Sequence, residues 1–204
     1  MNGPSLTEGH ASGATPLTPE DLEGLKIRSV TTHGELNEAE ANNIIKGQEW
    51  ALHSRLVRLP SMLSDNFMQR LHREMFGEVW QWAGHYRTRD TNIGVAHHII
   101  WQALGQVYDD AKGWLQYNAY PPEEFAVRLH YRVVSVHPFR NGNGRHARMV
   151  ADLTLIRHFK TDPLSWGGSA LRLADATRRA YIEALRAADH HDFAPLLVFA
   201  RSKG

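Results

Sequence analysis

Cysteine is absent from this 204-residue sequence, which excludes a disulfide framework and any thiolate metal site and agrees with the reducing cytoplasm as the expected compartment. Long apolar runs are missing as well. None approaches the roughly 20 residues that a bilayer-spanning helix requires, so no membrane partner is expected. The opening stretch MNGPSLTEGHASGATPLTP contains neither a basic region nor an apolar core, so residues 1–17 read as a flexible tail rather than a secretion or transit signal. The net charge is only +1. With its basic residues spread rather than clustered, the chain has no overall field to draw in nucleic acid, and any polyanion must be met by a local patch. Internal repeats are lacking, and no low-complexity tract follows the tail.

What is present suits a soluble globular domain. Hydrophobic residues make up 42% and charged residues 22%, and a chain of this size buries roughly 70% of its unfolded surface. The patterning is mostly helical. Thr18 caps a short helix with Pro19 at its first position and Asp21 three residues after the cap, and Gly24 ends it. A longer helix from about Gly34 to Ser54, started by Thr31 or Thr32, meets no proline before Pro60. Ser64 caps DNFMQRLHREMFGEVWQW, where Phe67, Leu71, Met75 and Val79 recur at helical spacing and Gly77 is the weak point.

The next stretch, AGHYRTRDTNIGVAHHII, has no helical period and reads as a short hairpin or an irregular loop. Helical spacing resumes from about Trp101 to Tyr117. Pro121 and Pro122 then open a helix bearing Phe125, Leu129, Val133 and Val136 on one face, although the β-branched run at its end also suits a strand. RHARMVADLTLIRHF and ATRRAYIEALRAA read as further helices, and DFAPLLVFARS packs on at the end. The fold class expected is all-α with a small β-hairpin flap.

The chemistry concentrates in HPFRNGNGRHAR, residues 137–148. Gly142 and Gly144 alternate with Asn141 and Asn143, and both residue types tolerate left-handed backbone angles. The chain there can curl so that several amide N–H groups and the positive end of a new helix converge on one spot, which makes an anion site. Arg145 and Arg148, at i and i+3, place both guanidinium forks on one side. His137, with an ordinary pKa of about 6.5, precedes the loop as a potential base. His146 falls on a different face and reads as a surface residue.

HPFRNGNGRHAR resembles the Fic-family signature HPFx[D/E]GNGRxxR at every specified position but one. LHREMFGEVWQWAGHYRT and YIEALRAADHHDFAPLLVFA also look like family segments, so the resemblance spans roughly residues 60–200. Within the family the chain looks most like the group called mobile mystery protein B, often found on mobile elements beside a helix-turn-helix regulator. The resemblance implies a Fic-type helical bundle over residues 60–204, preceded by an N-terminal helical region at 18–59. It implies a protein adenylyltransferase that moves AMP from ATP to a Ser, Thr or Tyr hydroxyl of a target protein, acting as a toxin held in check.

By the same resemblance His137 is the general base, Gly142, Asn143 and Gly144 cradle the phosphates, Arg145 neutralises the leaving pyrophosphate and Arg148 grips the γ-phosphate. Tyr181 lines the nucleotide pocket. Asn92, Ile93 and Gly94 belong to a flap that aligns the target side chain by backbone pairing. Asn141 departs from the pattern. It stands where the family has Asp or Glu to hold Mg²⁺, and an amide oxygen brings no negative charge, so metal affinity should fall. Transfer of phosphate, as by a Doc-like toxin kinase, and a catalytically weak nucleotide-binding interaction module therefore stay open.

Fic proteins are commonly restrained by a glutamate on an inhibitory helix, and THGELNEAEANNIIKGQEWA is the place to look. At about 100° per residue, Leu36, Ile44, Gly47 and Ala51 share a face and Glu40 lies in its middle. There it either pairs with Arg148 or reaches water from the helix edge. The pairs His97–His98 and His190–His191 read as surface residues rather than metal ligands. Trp80, Trp82 and Trp101 read as core.

Overall fold

Capping residues and prolines place the breaks of the chain. In the computed structural model, which describes Leu6 and residues 18–55, 57–168 and 175–203, Thr18 forms a full capping box with Asp21 and opens α1 (Pro19–Glu23), which Gly24 closes. Thr32 does the same with Glu35 at the start of α2 (His33–His53). Ser64 caps α3 (Asp65–Phe76). Then follow α4 (Ile100–Gln116), α5 (Pro122–Val136), α6 (Asn143–Thr154), α7 (Asp175–Asp189) and α8 (Ala194–Arg201). The expected N-terminal tail lies outside the described residues apart from Leu6.

Helix α3 stops at Phe76 instead of running to Trp82, because Gly77 ends it and Trp80 leaves the helical path to pair with Leu25 in an isolated antiparallel bridge. Where a strand had been an alternative, residues 133–136 stay helical. Among the described residues no strand forms, so the expected β-hairpin flap is instead an irregular loop ending in a 3₁₀ turn, His97–Ile99. Its polar groups are satisfied locally: Thr91 Oγ1 donates to the Ile93 carbonyl at 2.6 Å, and His97 N–H donates to Asp90 Oδ1 at 2.7 Å. Such side-chain bonds compete with a ladder.

The apolar faces of α2 to α6 close one core around Trp80, Phe76, Leu71, Leu104, Phe125 and Phe139. A second cluster, with Trp166, Tyr181, Leu196 and Phe199, packs α7 and α8 on the outer sides of α5 and α6. Gly47 lets α2 and α3 approach closely, since a Cβ there would meet the Met75 backbone at 2.8 Å. Asn43 fastens the same contact, its Nδ2 donating to the Glu74 carbonyl at 2.9 Å and its Oδ1 accepting from Glu78 N–H at 2.8 Å. Helix α2 is thus held against α3 with Glu40 inside, 3% exposed.

Trp80 and Trp82 are buried, but Trp101 is 55% exposed. It lies edge-on to Tyr86 at 4.8 Å. Its position at the second residue of α4 puts it outside the stripe of Ile100, Leu104, Val107 and Ala111 that faces the core. His190 and His191 are exposed as expected.

Candidate active site

Helix α5 ends by turning over at His137, which takes a left-handed conformation (φ 53°, ψ 58°). Pro138 lacks an N–H and cannot continue a helix. Phe139 is fully buried, stacked on the His72 ring at 3.7 Å. The turn after it is closed by Asn143, whose Oδ1 accepts from Phe139 N–H at 2.9 Å while its Nδ2 donates to the Phe139 carbonyl at 2.8 Å. Asn143 is therefore a bracket of the loop, and whatever it offers a ligand comes from its backbone.

Helix α6 then starts at Gly142, itself left-handed (φ 78°) and without a side-chain cap. The first-turn N–H groups of Asn143, Gly144 and Arg145 are left for a ligand, at the positive end of the helix dipole. Arg145 and Arg148 leave this turn in different directions. The guanidinium of Arg145 lies 4.9 Å from the Phe76 ring and its Nη1 donates to Glu40 Oε2 at 2.7 Å. Arg148 is buried, 5.5 Å from the ring of Tyr181, and that burial pulls it below the usual guanidinium range. Tyr181 borders Gly144, where a Cβ would sit 3.4 Å from its hydroxyl, and its hydroxyl is 3.0 Å from His130 Nε2.

Glu40 thus takes neither of the two expected courses: it is buried rather than in water, and it pairs with Arg145 rather than Arg148. The reason is geometric: α2 packs on α3, beside Phe76 and Arg145, whereas Arg148 is committed to the Tyr181 side of α6. Trp80 Nε1 donates to the other oxygen of Glu40 at 2.7 Å, so the carboxylate is satisfied inside. Expected at the surface, His146 is instead fully buried, its Nε2 3.0 Å from the Met68 carbonyl. The face of α6 on which it lies points at α3.

His137 is 5% exposed. Desolvation first, and then the Arg87 charge, push its pKa down to about 4 against a hydrogen bond with the Val134 backbone. Its imidazole is therefore neutral at pH 7 and able to take a proton. The flap residues Asn92, Ile93 and Gly94 are all exposed. Gly94, at φ +94°, presses so closely on His137 that a Cβ there would lie 2.5 Å from His137 Cβ. The loop of Asn92, Ile93 and Gly94 and the His137 side chain are therefore neighbours.

His72 was not singled out from the sequence. Gly84 N–H donates to its Nδ1 at 3.0 Å, so its proton is on Nε2, which donates to the Asn141 carbonyl at 3.0 Å. Burial, with His146 close by, drives its pKa well below the usual range. It is a neutral strut under the Asn-Gly run. An apolar helix face carrying one histidine gives no warning of this.

A divalent cation is poorly provided for. Among the described residues no group of three or more His, Cys, Asp or Glu is placed to hold a metal. Asn141 turns its Oδ1 to accept from Gly142 N–H at 2.6 Å, and Glu40 is taken by Arg145. These residues do not fit a resident divalent cation. No helix among the described residues is long and apolar enough to cross a membrane.

Comparison with known proteins places this geometry. Residues 62–155 match the Fic/DOC family. The chain is 29% identical over 167 residues to the protein adenylyltransferase Fic of Nematostella vectensis, covering 78% of this chain and 37% of that one. It is 31% identical over 170 residues to the protein adenylyltransferase fic-1 of Caenorhabditis briggsae, covering 78% and 31%. The chain thus spans about a third of the length of these relatives. Its backbone superposes on BepC of Bartonella tribocorum, solved with bound AMPPNP, with a TM-score of 0.65 at 18% identity, over 93% of this chain and 92% of that one. The helical fold is therefore that of Fic domains.

Proposed function

Because residues 62–155 form a Fic/DOC family domain, we propose that the protein transfers AMP from ATP to a hydroxyl of a target protein. The observation that carries the reading is the neutral His137 imidazole beside an uncapped helix N-terminus flanked by Arg145 and Arg148. The phosphates lie on the N–H groups of Asn143, Gly144 and Arg145, with Tyr181 lining the pocket behind Gly144. A target Ser, Thr or Tyr hydroxyl enters along Asn92, Ile93 and Gly94. Its oxygen attacks the α-phosphorus as its proton passes to His137, the bond to the β,γ-diphosphate breaks, and pyrophosphate leaves with its charge met by Arg145 and Arg148. The similarity to proteins named adenylyltransferases and the AMPPNP held by BepC support ATP as donor.

Glu40 restrains this chemistry in our reading. While it holds Arg145, that guanidinium is unavailable to the nucleotide, and the carboxylate places negative charge where phosphate must come. Restraint of this kind fits a toxin kept silent, with a helix-turn-helix regulator as partner and the cytoplasm as its place of action. Asn141 favours a second reading, a nucleotide-binding module with little turnover, since its amide brings no charge for a cation.

ATP labelled at the α-phosphate tests the proposal. Label on the protein itself or on a lysate protein, lost in His137→Ala, is the expected outcome. Label transferred only from the γ-phosphate makes the protein a kinase, and nucleotide binding with no transfer even in Glu40→Gly makes it the module.

A further inference from the structure

Arg87 carries a formal charge inside the protein with little to neutralise it. It is 2% exposed, and a buried arginine is uncommon unless paired. Asp90, 3.7 Å away, is largely in solvent and already accepts from both the backbone N–H and the ring of His97. The guanidinium spends its donors on carbonyls instead. Nε donates to the His137 carbonyl at 2.8 Å, Nη1 to the Arg89 carbonyl at 2.9 Å, and Nη2 to the Val95 carbonyl. The Arg87 backbone N–H adds a bond to the Pro138 carbonyl at 2.9 Å.

Those carbonyls belong to separate parts of the site. His137 is the base, Arg89 lies at the entry to the flap, and Val95 lies near its end, two residues before the 3₁₀ turn. The His137 carbonyl matters most, because a left-handed residue at the end of α5 turns its carbonyl away from the helical ladder, and the conformation itself costs about 1 kcal/mol or more. Close packing rules out slack between the parts: a Cβ on Gly94 would lie 2.5 Å from His137 Cβ, 2.9 Å from the Val136 carbonyl and 3.1 Å from Arg87 Nη2. Val95 N–H closes the ring on the Val136 carbonyl at 3.3 Å.

We propose that Arg87 is the positioning residue of the site: its guanidinium fixes the left-handed turn at His137 and the flap in one register, so that a hydroxyl aligned by Gly94 arrives in reach of the imidazole. This rests on His137 being the base. Only a flat fork with donors on several edges serves carbonyls lying in different directions; an ammonium is a point charge on a flexible stem. The same charge, facing His137, adds to burial in lowering the imidazole's pKa.

Arg87→Lys and Arg87→Met separate geometry from charge. Both are compared with the unaltered protein for ATP affinity by calorimetry, for the rate of AMP transfer against pH, and for the His137 ring signals by NMR. Misplacing reacting groups by about 1 Å costs on the order of 100-fold in rate. The expected result is a fall of about that size in kcat for both variants with ATP affinity within about twofold. The NMR contact between Gly94 and His137 is lost in both, and the His137 pKa rises in the methionine variant alone. Wild-type rates in either folded variant, or a loss of ATP affinity matching the loss of rate, overturns the proposal. If Arg87→Met does not fold, Arg87→Lys alone decides the geometric role. A Glu40→Gly protein that transfers no label from ATP overturns the reading of His137 as base, whereas an intact Gly94–His137 contact in the lysine variant overturns the placing role of Arg87 specifically.

Discussion

Arg145 donates to Glu40 at 2.7 Å across 105 positions of sequence. Trp80 completes the arrangement, so the carboxylate is both charge-paired and hydrogen-bonded where it is 3% exposed. Removing one member of such a pair leaves the other uncompensated. Glu40→Gln keeps the acceptor for Trp80 and removes the charge, while Glu40→Gly removes both and adds the roughly 1 kcal/mol that glycine costs in a helix. If Glu40 restrains Arg145, auto-modification rises in both variants, on the order of tenfold for each 1.4 kcal/mol of released interaction. The glycine variant should melt lower than the glutamine variant, since it loses the Trp80 bond and the helical side chain as well. Unchanged labelling in both removes Glu40 from any inhibitory role.

Helix α2 is also held from its far end. Arg157, in the π turn Leu155–Phe159 that follows α6, donates to the Leu52 carbonyl at 3.1 Å and to those of Ser54 and Val57 at 3.3 Å. Leu52 lies in the last turn of α2, whose carbonyls have no partner within the helix, Ser54 is its C-cap and Val57 lies in the loop beyond. Arg157→Ala should cost about 1 kcal/mol for each bond lost, lowering the melting temperature by about 2–4 °C per kcal/mol in a chain of this size. It should also raise auto-modification, because a looser α2 holds Glu40 less firmly. A variant that melts lower yet labels as before separates the stability of α2 from restraint of the site.

How far the sequence exposes all this depends on whether the deciding interaction is local. Thr18 with Asp21 and Ser64 before a periodic run are local, and their helices begin where the residues say. Helical spacing puts Glu40 on the apolar face but leaves open whether it turns inward or reaches water, and its partner is not legible at all, since choosing Arg145 over Arg148 requires knowing which side of α6 faces α2. His146 was misplaced for a related reason: charged neighbours on both sides suggest solvent, while α3 covers that face. Arg87 and His72 were invisible because what they hold, carbonyls of His137 and Asn141, carries no residue signature.

Acid should unfold the protein through its buried imidazoles. Burial is the first cause in each: it lowers His130 to about 3, His137 and His146 to about 4, and His72 well below its ordinary value. In the unfolded chain each titrates near 6.5. Between that value and the folded pKa the unfolded state binds more protons, so stability rises with pH through this window and is lost as pH falls from about 6.5 towards 4. The slope is about 1.4 kcal/mol per pH unit for each histidine fully in the window. Denaturant titrations at pH 7.5, 6 and 5 measure it. His146→Gln, which keeps a donor for the Met68 carbonyl, should flatten the slope by about one histidine's share; a stability independent of pH over this range contradicts the burial of these rings.

Gly142 and Gly144 make opposite predictions although they stand two residues apart in the same run. At Gly142 the backbone is left-handed (φ +78°) and a Cβ would lie 2.6 Å from the Phe76 ring, a fully packed core side chain. Gly142→Ala therefore strains both backbone and core and should destabilise the fold by about 1–3 kcal/mol. At Gly144 no positive φ is needed and the nearest atom to a Cβ is the Tyr181 hydroxyl at 3.4 Å, an ordinary contact. Gly144→Ala should leave the melting temperature within a degree or so, about what a change of a few tenths of a kcal/mol gives. What the methyl group does is occupy the space over the first-turn N–H groups, where phosphate must approach the backbone. ATP affinity should then fall about tenfold, equivalent to about 1.4 kcal/mol, in a protein that is otherwise intact. Calorimetry on the two variants reads this directly, and a Gly144→Ala protein that binds ATP normally would move the phosphates away from the start of α6.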